Sequence, residues 1–214
     1  MSVKLFFWNV WGLNEPAKHG PFISWLNIYR PLFGAILESH VKKPSLNPIL
    51  SSLCPGWCFT SNHTSDPDGR ILLIWRDSLK VQILAQSNQC ITCKIVFPNQ
   101  APIIYSAIYA SNLSADRVDL WAELIQLQSY LDLENCCWVL GGDFNQILWP
   151  SEHSNGHLNT PDSLMYQLQD CLLQLGVFDL RFIGPAHTWT NSQPSNPISK
   201  KLDPCQPLYC RNFS

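Results

Sequence analysis

The chain predicts a layered α+β domain, with two sheets packed together and helices outside. Three observations carry that expectation. Short apolar runs rich in β-branched and aromatic residues recur along the chain, bounded by Gly, Asp and Pro, the pattern of half-buried or buried strands. A few segments instead place apolar residues at helical spacing. The strand-like runs follow one another through the middle of the chain, and helical segments interrupt them on both sides. That order suits antiparallel pairing with inserted helices.

Taken in order, Lys4 to Val10 reads as a buried strand, closed by a turn at Gly12-Leu13-Asn14. Lys18 to Arg30 has Phe22, Ile23, Trp25, Leu26 and Tyr29 at amphipathic-helix spacing. Leu32 to Leu37 is a second strand ending at Glu38, and Ser45 to Leu53 is a short helix before the Pro55-Gly56 turn. Five β-like runs follow: Trp57-Ser61, Arg70-Trp75, Leu79-Leu84, Gln89-Phe97 and Pro102-Ala110. Ser114 to Leu131 is the clearest helix, with Ser114 as N-cap and Val118, Trp121, Leu124, Ile125, Leu127 and Leu131 as its apolar side. Cys136 to Leu140 is a buried strand running into Gly141-Gly142-Asp143-Phe144-Asn145. Thr160 to Leu175 is a helix with Leu164, Leu168, Cys171, Leu172 and Leu175 inward and Gly176 as its C-cap. Phe178-Leu180 and His187-Asn191 read as short strands.

The 214 residues fit one domain and are 46% hydrophobic but only 14% charged, below the roughly 25% charged of an average soluble domain. A net charge of −2 leaves no strongly basic footprint for nucleic acid over the whole chain. It does not exclude a nuclease, because a metal ion screens phosphate locally. No apolar run approaches a membrane span, and no secretory signal is expected at the N-terminus. Nine scattered cysteines, with only Cys90 and Cys93 in a CxxC, argue for buried reduced thiols in an intracellular protein rather than zinc.

Chemistry gathers where strands run out. Asn9 lies in the first strand, Glu38 closes the second, Tyr109 and Asn112 close the run ending at Ala110, and Asp143 and Asn145 follow Gly142. Asp143 and Asn145, two apart in extended chain, point to one side. One supplies charge; the other supplies an amide donor and a carbonyl acceptor. Taken alone, each residue has a plain structural reading: an Asx turn, a solvated strand exit, a core tyrosine. A pair of carboxylates such as Glu38 and Asp143 also suits Mg²⁺, which takes one or two carboxylates and keeps several waters.

The set Trp8-Asn9-Val10-x-Gly12-Leu13-Asn14, Leu37-Glu38-Ser39-His40, Ile108-Tyr109-Ala110-x-Asn112, Gly142-Asp143-Phe144-Asn145, Thr188-Trp189-Thr190-Asn191 and Lys201-Leu202-Asp203 resembles the endonuclease/exonuclease/phosphatase superfamily. It is most like the apurinic-type endonuclease domain of plant LINE-type (non-LTR) retrotransposons. The resemblance implies a four-layered α/β sandwich and DNA nicking by Mg²⁺-dependent phosphodiester hydrolysis, with Mn²⁺ as the alternative metal. It implies Glu38 as the metal ligand with Asn9 beside it, and Tyr109 and Asn112 on the scissile phosphate. Asp143 would orient or activate water, Asn145 would hold the phosphate, and Asp203 would be the supporting acid. Trp189 and Asn191 would lie near DNA. The protein would be a monomer with DNA as partner, no membrane association, and a nuclear location if functional.

The same resemblance shows departures. The family's Ser-Asp-His motif does not follow Lys201-Leu202-Asp203; the next residues are Pro204-Cys205-Gln206-Pro207. The sequence therefore predicts an incomplete family domain over residues 1–203, with its last strands missing, and a non-family tail over 204–214. Trp11 stands where relatives commonly carry Arg or Asp, and neither His40 nor His187 reads as a substitute for the missing histidine. Impaired hydrolysis follows from this pattern. The alternatives are a non-catalytic retroelement remnant that binds metal or nucleic acid, and a phosphatase of the same superfamily.

Overall fold

The structure, a computed structural model, describes residues 4–154, 160–178, 187–193, 195, 197–202 and 205–207. It has the mixed α+β fold expected from the sequence and divides into two compact units, Met1–Tyr109 and Ala110–Ser214.

In the first unit, β1 (Leu5–Asn9) pairs in parallel with β2 (Phe33–Leu37). Helix α1 (His19–Tyr29) lies between them in sequence, as a parallel crossover requires. Strand β4 (Ile71–Arg76) pairs antiparallel with β2 and with β3 (Trp57–Ser61), giving the order β1-β2-β4-β3. Helix α2 (Leu46–Leu53) follows β2 and buries Leu46, Leu50 and Leu53. Strands β5 (Lys80–Gln86), β6 (Cys90–Val96) and β7 (Ile103–Tyr109) form an antiparallel meander. Every residue of β2 and β7 is buried, which explains why both read as unbroken apolar runs rather than alternating ones.

Tyr105 joins the two sheets of this unit. Its ring stacks on Phe7 at 4.6 Å and meets Phe33 edge-on at 4.7 Å, while its hydroxyl donates to the Phe6 carbonyl at 2.9 Å. The fully buried Asn62 adds a second tie. Its Oδ1 accepts from the Ile71 N–H at 3.0 Å, and its Nδ2 donates to the carbonyls of Ser87 and Asn88. Gly34 is required by close packing: a Cβ there would lie 2.1 Å from the Phe6 ring.

In the second unit, α3 (Ser114–Tyr130) and α4 (Ser163–Leu175) pack on each other, and β8 (Trp138–Asp143) carries the Gly-Gly-Asp turn. A two-stranded ribbon pairs β9 (Trp189–Thr190) with β10 (Ser199–Lys200). Residues 205–207, in the segment the sequence assigns to a non-family tail, form β11 (Cys205–Pro207), antiparallel to β8.

Three helix expectations are corrected. The cap residue of α3 is Leu113, with no side-chain cap bond, and Ser114 is already helical; the nearby hydroxyl of Ser111 accepts the Leu113 N–H instead. Val118 is exposed, and the buried face is Arg117, Leu120, Trp121, Leu124 and Leu127. Helix α4 starts at Ser163 because Asp162 caps it, accepting the Met165 N–H at 2.8 Å. Its C-cap is Gly176 in the left-handed region, as expected. Phe178 is not in a strand, and 179–180 lie outside the described residues. The seven cysteines from Cys54 to Cys171 are free thiols; burial pushes Cys54 and Cys171 each up to about 12.

Two glycine substitutions should therefore move stability in opposite directions. Gly34→Ala should lower it by about 1–3 kcal/mol through overpacking. Gly20→Ala, in α1 with nothing near its Cβ position, should raise it by up to about 1 kcal/mol. Urea unfolding followed by circular dichroism reads both.

Candidate functional site

In the first unit, the β1–β2 ladder continues past the strand ends. The Val10 N–H donates to the Leu37 carbonyl at 3.1 Å, Gly12 to Glu38 at 2.8 Å, and Asn14 to Ser39 at 3.3 Å. To keep that register, Trp11, Glu38 and His40 adopt positive φ of 43°, 51° and 51°, uncommon for side-chain-bearing residues. Asn9 ends β1 half-buried, and its Oδ1 accepts the Trp11 N–H at 3.2 Å.

Glu38 is half-buried, and its Oε1 accepts a hydrogen bond from the Tyr109 hydroxyl. Its Oε2 has no donor among the described residues. The predicted Glu38 and Tyr109 are thus brought together. Arg70, which the sequence did not single out, lies with its guanidinium 5.2 Å over the Tyr109 ring. Asp66, 5% exposed, holds Arg70 through a 2.6 Å contact between Oδ2 and Nε. Burial of Arg70 works against its charge, but the hydrogen bond and charge of Asp66 outweigh it and push the pKa up. A permanent cation therefore covers the tyrosine that orients Glu38.

In the second unit, Asp143 is buried at the end of β8, and its Oδ1 accepts the Asn145 N–H at 2.9 Å, closing an Asx turn. Gly142 takes φ 132° and Asn145 φ 46°, so the turn needs residues that tolerate the left-handed side. Asn145 Nδ2 donates to the Ala110 carbonyl at 2.7 Å, and the Ala110 N–H donates to the Asp143 carbonyl at 2.8 Å. Arg117, 5% exposed, donates through one terminal nitrogen to the carbonyls of Ser111 and Asn112 at 3.0 and 3.2 Å. Its other terminal nitrogen reaches Gln146 Oε1 at 3.1 Å. These bonds fix the segment bearing Asn112, whose side chain stays exposed, against the turn bearing Asp143 and Asn145. Burial lowers the Arg117 pKa, with the charge of Asp162 acting the other way.

The ribbon residues differ in role. Trp189 is 41% exposed with Lys200 Nζ 5.8 Å from its ring centre. Asn191 works inside the ribbon: its Oδ1 accepts from the N–H groups of Gln193 and Ile198 at 3.2 and 3.0 Å. Asp203 lies outside the described residues. His40 is exposed and His187 half-buried. The pKa of His153 is held down by burial first, then by Lys200 and His187.

The family model described as the endonuclease/exonuclease/phosphatase family matches residues 6–203. The chain belongs to that family.

The family's fold recurs in solved structures of low identity. The endonuclease domain of TRAS1, a telomere-specific non-LTR retrotransposon, matches with TM-score 0.71 at 15% identity, covering 96% of this chain and 84% of that one. An AP endonuclease from Archaeoglobus fulgidus matches with TM-score 0.71 at 16% identity, covering 97% and 87%. The D. rerio TDP2 complexed with single strand DNA product matches with TM-score 0.65 at 16% identity, covering 98% and 84%. No curated protein matches the sequence.

Enzymes of this family are typically divalent-metal dependent. Among the described residues no three His, Cys, Asp or Glu side chains gather as a metal cluster. A lone oriented carboxylate with an amide oxygen on the adjoining strand instead fits an ion that keeps most of its waters. Arg70 and Arg117 are what sequence reasoning missed in this family member. The only signal for Arg117 was its place on the Trp121-Leu124 face of an otherwise apolar helical stripe.

Arg117→Met should lower stability by about 2–3 kcal/mol, since charged hydrogen bonds to three acceptors are lost. It should also speed amide exchange at Asn112 and Leu113 more than in β6, as hydrogen–deuterium exchange read by mass spectrometry would show.

Proposed function

We propose that this family member is a Mg²⁺-dependent phosphodiester hydrolase that nicks DNA, of the plant LINE retroelement type, and that its turnover is impaired. The observation that carries the reading is the Glu38 carboxylate at the end of the β1–β2 ladder. One of its oxygens is held by the Tyr109 hydroxyl, and the other meets no donor among the described residues. Both the family match over residues 6–203 and the fold shared with a retrotransposon endonuclease domain support it.

Bound there, Mg²⁺ would polarise a phosphoryl oxygen and stabilise the leaving oxyanion; Mn²⁺ has the same oxygen-ligand chemistry. Glu38 would hold the ion with Asn9 as its neighbour, and Tyr109, kept in place by Arg70, would fix the carboxylate and meet the phosphate. Asp143 would orient the attacking water and accept its proton as the oxygen bonds to phosphorus. Asn112 and Asn145 would present amide donors to the phosphate, with Asn112 the exposed one. Trp189 would lie against DNA. Asn191 would act there only by shaping the ribbon, because its side-chain oxygen already holds two backbone N–H groups. Asp203 keeps the supporting role its motif suggests.

Impairment rests on the residues that follow Lys201-Leu202-Asp203, where Pro204-Cys205-Gln206-Pro207 departs from the family pattern. A missing general acid or base costs about 10²–10⁴ in rate. The same departure favours a second reading, a remnant that binds metal or nucleic acid without catalysis.

Nicking of supercoiled plasmid by the purified chain separates these readings. Slow nicking that needs Mg²⁺ and falls to background in Glu38→Gln and in Asp143→Asn is expected. Rapid nicking would contradict impairment. No metal-dependent nicking, with Glu38→Gln indistinguishable from the parent chain, would contradict the hydrolase reading and leave the remnant.

A further inference from the structure

Trp11 is 72% exposed, among the most solvent-exposed large apolar side chains of the described residues. It is nevertheless placed by four constraints. Its backbone has φ 43°; its N–H is taken by Asn9 Oδ1 at 3.2 Å; and its carbonyl is taken by Lys18 Nζ. The next residue, Gly12, is bonded through its N–H to the carbonyl of Glu38 at 2.8 Å. The backbone that carries the ring is therefore pinned next to that of Glu38, the residue assigned to the metal. Lys18 Nζ, which also holds the Val10 carbonyl at 2.9 Å, lies 5.7 Å from the ring centre.

An exposed indole costs solubility, and a left-handed tryptophan costs about 1–2 kcal/mol of backbone energy. Neither cost is recovered by packing, because the ring is not in the core. An exposed aromatic face on a fixed backbone, with a cation against it, is in chemistry a stacking platform for a flat ring with an anionic backbone alongside. Nucleobases stack on such faces irrespective of sequence, and lysine supplies the phosphate contact.

We infer that Trp11 is a base-stacking residue that receives an unpaired nucleobase next to the scissile phosphate, with Lys18 on that nucleotide's phosphate. The ligand class is single-stranded or locally unpaired DNA, since a stacked, paired base offers no free face to an indole. This rests on the hydrolase reading for the position of the phosphate, but the stacking is measurable without hydrolysis.

The test is fluorescence anisotropy of labelled single-stranded oligonucleotides in a chelating buffer, so that nothing is cleaved. One DNA carries normal bases and a second of equal length and charge has abasic residues. Trp11→Ala, a change at an exposed side chain, should weaken binding of the first DNA about fivefold to a hundredfold. It should leave the second unchanged, and Trp11→Phe should restore most of the loss. Equal loss on both DNAs, no loss on either, or no binding of single strands by the parent chain would each overturn the inference. Failure of the hydrolase reading shows separately, as Glu38→Gln having no effect on Mg²⁺-dependent nicking.

Discussion

The parallel ladder between β1 and β2 does not stop where the strands stop. Three further backbone bonds, from Val10, Gly12 and Asn14 to the carbonyls of Leu37, Glu38 and Ser39, carry the register into what would otherwise be two loose loops. Ser39 is fully buried and anchors the far end, donating through its hydroxyl to the Gly69 carbonyl at 3.3 Å. The price is positive φ at Trp11, Glu38 and His40. Strained non-glycine residues persist only where the surroundings over-determine them, and here the surroundings are the ladder itself. Glu38 is consequently a carboxylate with a fixed root. With Tyr109 on one oxygen it also has a fixed head, and Arg70 held by the buried Asp66 keeps Tyr109 from turning away.

The second unit solves the same problem with side chains rather than a ladder. Asp143 and Asn145 close a turn on each other, Asn145 reaches back to the Ala110 carbonyl, and Arg117 draws in the carbonyls of Ser111 and Asn112. Each exposed polar group is thereby backed by a buried bond, which is how loop residues acquire the positional accuracy that catalysis needs.

Much of this was legible in the sequence. Strands announced themselves by apolar runs, and their ends by Asn9, Glu38, Tyr109 and Asp143, because a buried strand permits polar residues only where it leaves the core. Asp143 and Asn145 are joined by the plain Asx turn, with Asn145 left-handed, and not by the two-residue period of extended chain. Arg117 was legible only by its place on an apolar helix face, since a charged residue on a helix reads as solvent-facing unless its partners are known, and those partners, two backbone carbonyls and the Gln146 side chain, are not displayed by the sequence. The same ambiguity sent Val118 inward in the reading and outward in the structure. Arg70 was hidden because a cation over an aromatic ring has no spacing rule between distant segments. Asn191 matched a motif, and what the motif did not display is that its side-chain oxygen takes the N–H groups of Gln193 and Ile198 within the ribbon.

The proposed hydrolysis depends on Glu38 acting as a metal carboxylate held ready by Tyr109. Isothermal titration calorimetry of Mn²⁺ and Mg²⁺ into the parent chain, Glu38→Gln and Tyr109→Phe tests that most directly. One saturable site in the parent, lost in Glu38→Gln and weakened but retained in Tyr109→Phe, is the predicted result. Equal metal affinity in the parent and Glu38→Gln would contradict it.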